Sequence, residues 1–125
     1  MGEKYLIDTN VLLEYVGGSL PTDAHIFVEK AIDQEFNISI INRIEILGHE
    51  WATKELTEFL SLANTYPLTQ DIEEQTIHLR KYKKIKLPDA IIVATALTHG
   101  LTPISHNIRD FRNINGLICV NPHEF

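Results

Sequence analysis

Cysteine occurs once, at position 119, so no disulfide can form within the chain. Set in the apolar run LICV (117–120), Cys119 reads as a small core residue rather than a nucleophile. Long apolar stretches are also missing. The longest uncharged one, AIIVATAL (90–97), falls far short of the roughly 20 residues that span a bilayer, which argues against a membrane protein. The opening MGEKYLIDTN carries charge where an export signal places its apolar segment, so a cytoplasmic protein is expected. G-x-S-x-G, Walker and G-x-G-x-x-G motifs are absent, and no repeat, low-complexity tract or linker interrupts the chain. The six histidines, at 25, 49, 78, 99, 106 and 123, show no paired metal spacing. His49-Glu50-Trp51 lacks the second histidine of a zinc-protease helix.

What is present suits one globular domain over residues 1–125, with 44% hydrophobic and 22% charged residues. A net charge of −6 argues against a protein that holds nucleic acid by bulk electrostatics. The charge is uneven, however. Residues 1–62 carry eleven acids and four bases, whereas residues 63–125 carry six acids and seven bases. Arg80, Lys81, Lys83, Lys84 and Lys86 form one basic strip, which is either a solvated helix face or a seat for an anionic ligand.

Hydrophobic periodicity predicts a strand at 5–7 and a helix at 10–16 stopped by Gly17-Gly18. A helix at 23–34 and a β-branched strand at 36–41 follow. A helix starting at Asn42 and broken near Gly48, another through Leu56 and Leu60, and a strand at 66–68 come next. A long helix over 71–85 should bury Ile72, Ile77, Leu79 and Tyr82. Pro88 opens a helix whose apolar centre should be buried, Gly100 ends it, and strands at 101–104 and 117–120 close the chain. Short apolar strands between helices indicate an α/β fold, a mainly parallel sheet of four to five strands covered on both faces.

Ligands of such sheets bind at the carboxyl ends of the strands. Asp8, Glu45 and Asp89 all fall on that edge. Singly, each has an ordinary explanation: Asp8 as a helix cap, Glu45 as partner of Asn42 in a capping-box-like pair, Asp89 as a complement to a helix dipole. Together they would repel one another unless a cation sat between them, and oxygen-only ligation suits Mg²⁺ or Mn²⁺. With no protein nucleophile in evidence, a metal-activated water is the natural attacker and a phosphodiester the natural substrate. The segment SHNIRDF (105–111) adds Ser105, Asn107 and Asp110 near the same edge. Its alternative reading is a plain turn with Asp110 paired to Arg109 or Arg112.

These residues carry a family resemblance. LIDTNVLL (6–13), ISIINRIE (38–45), LPDAIIVATA (87–96) and SHNIRDF (105–111), with INGLICVNP (114–122), resemble in order the conserved blocks of PIN domains, most of all VapC-type toxins of bacterial toxin–antitoxin pairs. The resemblance implies an α/β/α sandwich and an Mg²⁺- or Mn²⁺-dependent endoribonuclease. It also implies RNA as substrate, a cognate antitoxin as partner and frequent homodimerisation. By motif, Asp8, Glu45 and Asp89 match the family's best-defined acids, and Asn10 and Ser105 match supporting polar residues. The fourth acid often falls where this chain has Asn107, so Asp110 either takes that place or the site works with three carboxylates. The alternatives are a catalytically weakened PIN-like domain that binds RNA or protein, and a phosphoacceptor signalling domain. Against the last, Asp8 is followed by Thr9 and Asn10 rather than by a second acid.

Overall fold

Four three-residue strands are interleaved with seven helices among the residues that the computed structural model describes, 3–111 and 113–125. In chain order these are β1 (Tyr5–Ile7), α1 (Thr9–Gly17), α2 (Thr22–Gln34), β2 (Asn37–Ser39), α3 (Ile40–Leu47) and α4 (Lys54–Leu60). They continue with β3 (Asn64–Tyr66), α5 (Gln70–Tyr82), α6 (Leu87–His99), β4 (Thr102–Ile104), α7 (Ile108–Phe111) and a 3₁₀ turn at Pro122–Glu124. No helix among the described residues is long and apolar enough to cross a membrane.

β1 pairs with β4 and β2 with β3, both in parallel. The two pairs are tied side by side by Asn37, whose Nδ2 donates to the Tyr5 carbonyl at 3.0 Å. Helices cover both faces. On one, Leu12, Val28, Ile38, Ile46 and Leu60 pack together; on the other, Ile72, Leu79, Ile92 and Phe111 do. The α6 stretch from Ala90 to Ala96 is buried throughout, as its lack of a polar side requires. Gly100 ends α6 in the left-handed region, at φ 67°, where glycine is least strained.

Several expected elements shift for identifiable reasons. The strand expected at 117–120 shrinks to one bridge, between Ile104 and Val120. The Val120 amide donates to Pro103 O and the Ser105 amide to Val120 O, but Pro103 has no N–H with which to extend the ladder. The strand expected at 66–68 forms at Asn64–Tyr66 instead. Asn64 donates its amide to Phe36 O, just before β2, and its side-chain Nδ2 to Asn37 Oδ1 in β2, and Pro67 lies just past the last pair. The strand expected to reach residue 41 stops at Ser39, because Ser39 caps α3 and shares a capping box with Asn42. Glu45 therefore lies in the second turn of α3, and the Asn42–Glu45 pair expected there is replaced by Ser39–Asn42. The helix expected over 71–85 ends at Tyr82, with Ile77 and Tyr82 exposed. Thr76 takes the inner position, its hydroxyl donating to Ile72 O at 2.7 Å.

Candidate functional site

β1 and β4 end side by side, which brings the start of α1 against the turn that leads into α7. Asp8 stands at that point and does two jobs. As the cap of α1, it accepts the Thr9 amide at Oδ1, 2.8 Å. It is also buried, and its remaining contacts come from distant segments: Asn42 Nδ2 donates to Oδ1 at 3.2 Å and Ser105 Oγ to Oδ2 at 2.7 Å. A buried carboxylate needs such donors, since an ion stripped of water is otherwise costly.

Asn42 organises this centre, a role that a reading of it as a helix start misses. It is fully buried, accepts the Ser39 amide at 2.8 Å, and donates both to Asp8 and to Thr9 Oγ1 at 3.1 Å. Thr9 in turn donates its hydroxyl to Glu45 Oε1 at 2.7 Å. One chain of hydrogen bonds thus runs from β2 through Asn42 and Thr9 to the exposed carboxylate of Glu45. The capping-box pattern over 39–42 was the signal available for Asn42, but its contacts with Asp8 and Thr9 exist only across the fold.

Asp89 enters from the first turn of α6. Its carboxyl is pushed up to about 6, first by burial, then by the negative charges of Asp8, Asp110 and Glu45, with Lys86 opposing them. Three acids from other parts of the chain, Asp110 among them, therefore lie close enough to Asp89 to oppose its ionisation. No ion pair between Asp110 and Arg109 exists among the described residues, and Arg112 lies outside them. The fourth segment is anchored through the Asn107 backbone, whose N–H donates to Ser105 Oγ at 2.9 Å. Asn10, on the first turn of α1, has a buried Oδ1 with no hydrogen-bond partner among the described residues. Carboxylates that oppose the ionisation of Asp89, with oxygen the only donor element, form a set whose chemistry fits Mg²⁺ or Mn²⁺.

The basic strip divides. Arg80, Lys84 and Lys86 line one shallow cleft of about 340 Å³ together with Ile85 and Asp110, next to the acids. Lys83 faces elsewhere, its Nζ donating to the Asn113 carbonyl at 2.7 Å, and Lys81 is exposed at the end of α5. Cys119 is half-buried and its thiol is pushed up to about 11 by burial, which agrees with an inert core residue. The histidines depart from expectation. His106 and His123, 17 positions apart in the chain, meet at Glu14.

Comparison with known proteins fits this arrangement. The PIN domain model matches residues 5–117. A chain of a toxin–antitoxin complex from Klebsiella pneumoniae is 34% identical, superposes with a TM-score of 0.76, and aligns over 98% of this chain and 100% of its own. At 21% identity and TM-score 0.75, a FitAcB chain from Neisseria gonorrhoeae shares the fold over 97% of this chain and 99% of its own. A VapBC2 chain from Rickettsia felis, in a complex bound to a promoter DNA fragment, shares it at 22% identity and TM-score 0.74, over 94% and 97% respectively. No curated protein is significantly similar to the chain. The resemblance carried by the sequence blocks is thereby borne out: this chain belongs to the PIN-domain family.

Proposed function

We propose that this protein is a metal-dependent endoribonuclease and the toxin half of a toxin–antitoxin pair. The observation that carries the reading is the convergence of Asp8, Glu45, Asp89 and Asp110 at one sheet edge, where each opposes the ionisation of Asp89 or is Asp89 itself. Asp8, Glu45, Asp89 and Asp110 are the residues that would hold Mg²⁺ or Mn²⁺. Once bound, the ion supplies an activated water and neutralises phosphate charge. Asn42, Thr9 and Ser105 orient the carboxylates, and supporting residues of this kind set how well a metal site works. Asn10 and Asn107 are assigned supporting roles from their places in the matching sequence blocks.

Because the attacker is an external water and the ribose 2′-hydroxyl takes no part, cleavage should leave 5′-phosphate and 3′-hydroxyl ends. End-labelled RNA incubated with Mn²⁺, followed by product mapping, tests this. Products ending in a 2′,3′-cyclic phosphate would sink the mechanism even if RNA were cut.

Substrate contact is assigned to the basic residues beside Asp110. Arg80, Lys84 and Lys86 offset the repulsion between a phosphate backbone and the acids, and such contacts position a strand without reading its sequence. Replacing these three with Gln should weaken RNA binding and flatten its salt dependence while the cleavage positions stay the same. Replacing Lys81 and Lys83 should do less, since Lys83 is engaged with Asn113. Equal salt slopes in wild type and the triple variant would return the strip to a solvated face.

The partner reading is supported by the Klebsiella relative, which is itself part of a toxin–antitoxin complex. An apolar cleft of about 480 Å³ lined by Leu13, Val16, Trp51, Leu56 and Phe59 offers a place for an antitoxin's apolar side chains. A homodimer and a cytoplasmic location belong to the same proposal.

A further inference from the structure

We propose a second metal site, separate from the carboxylate cluster and different in kind, formed by Glu14, His106 and His123. The three come from α1, from the turn after β4 and from the C-terminal 3₁₀ turn. One ligand atom from each lies within 4.8 Å of the other two. His123 Nε2 is 3.2 Å from both carboxylate oxygens of Glu14, and His106 Nε2 contacts Glu14 Oε1 directly. The two imidazoles stand nearly perpendicular, with ring centroids 4.1 Å apart.

Ligands about 2.0–2.2 Å from a tetrahedral zinc are separated by roughly 3.3–3.5 Å, so this triad needs only a small opening to admit the ion. Two imidazoles and one carboxylate favour a borderline transition metal such as Zn²⁺, whereas the all-oxygen set around Asp89 favours Mg²⁺ or Mn²⁺. The side chains of His106, Glu14 and His123 are 28%, 27% and 36% exposed, which leaves a face open for a fourth ligand from solvent.

The triad is held from behind by the fold. The parallel bridge between Ile104 and Val120 sends both histidine segments out at the same end. Beyond it, Ser105 N donates to Val120 O at 2.9 Å and His123 N to Asn121 Oδ1 at 2.9 Å, while Pro122 is buried. A bound ion would tie the C-terminal segment to α1 and to the turn whose Ser105 hydroxyl supports Asp8. The proposal does not depend on the nuclease reading, since it uses none of the acids around Asp89.

Co²⁺ is the spectroscopic probe and Zn²⁺ the thermal one, each used on the full chain. Wild type should develop an intense visible absorption of tetrahedral type that accounts for one Co²⁺ per chain, besides any held by the acids. That band should persist in the Asp8→Asn/Asp89→Asn double variant. His123→Gln, at an exposed position, should bind Co²⁺ at least about tenfold more weakly and lose the band. Glu14→Gln serves as a second variant should His123→Gln fold poorly. Zn²⁺ at about a hundredfold excess over its Kd should raise the Tm of wild type by roughly 10 °C and that of His123→Gln by much less. A wild type without the band overturns the site and leaves a hydrogen-bonded cluster only. A band lost in the double variant but kept in His123→Gln overturns it too, by placing the ion among the carboxylates.

Discussion

Asp8→Asn should reduce Mn²⁺-dependent RNA cleavage by about a thousandfold while leaving the fold intact, the scale expected when a metal ligand worth several kcal/mol is lost. The fold should survive because the amide can keep most of the hydrogen bonds that Asp8 makes. Its oxygen would still face the Thr9 amide and Asn42 Nδ2, both donors. Its nitrogen would then face Ser105 Oγ, and a hydroxyl can turn from donor to acceptor. What disappears is the negative charge at the centre of the acidic edge. Circular dichroism and a cleavage time course on the same preparation separate the two effects. Cleavage within about tenfold of wild type would remove Asp8 from the chemistry.

The same assay decides the fourth position. Asp110 lies near enough to Asp89 to oppose its ionisation, and a carboxylate ligates a hard cation better than the amide of Asn107 does. Asp110→Asn is therefore expected to lose activity on the scale of Asp8→Asn. Near-wild-type activity would instead assign the position to Asn107, in which case Asn107→Asp should tighten Mn²⁺ binding.

The second large effect is on stability, and its sign depends on pH. The Asp89 carboxyl ionises near 6 in the folded chain, against 3.8 for an ordinary aspartate. The folded state therefore holds this proton more firmly than the unfolded state does. Stability contributed by the protonated acid is complete below about pH 4 and is lost as pH rises through about 6. Solvent screening of this partly exposed group holds the penalty to about 1 kcal/mol, or roughly 3–5 °C in Tm. In metal-free buffer at pH 8, Asp89→Asn should melt higher than wild type by that amount, and the two should converge near pH 4. Millimolar Mn²⁺ should reverse the order, because an ion bound only by the folded state stabilises it and the variant binds it less well. Melting curves that differ equally at pH 4 and pH 8, and that ignore Mn²⁺, would overturn both the repulsion and the metal reading.

Residues local to one element were readable from the chain itself. The apolar run over 90–97 read as a largely buried helix, which it is from Ala90 to Ala96, and Gly100 ends it in the left-handed region. Asp8 after a short apolar strand, and Asp89 one position after Pro88, carried their places on the sheet edge in their neighbours. Strand limits were less legible, because they depended on a partner's missing donor, as at Pro103, or on a competing cap, as at Ser39. Asn42 looked like a helix start, yet its side chain is used across 34 positions of sequence to hold Asp8. Histidine spacing suggested no cluster, and the parallel closure of β4 onto Val120 nevertheless brings His106 and His123 to Glu14. Periodicity and capping act over a few residues and leave a mark in the sequence. Hydrogen bonds between side chains of different elements leave none, so the tertiary structure alone decided that Asn42 holds Asp8 and that His106 and His123 meet at Glu14.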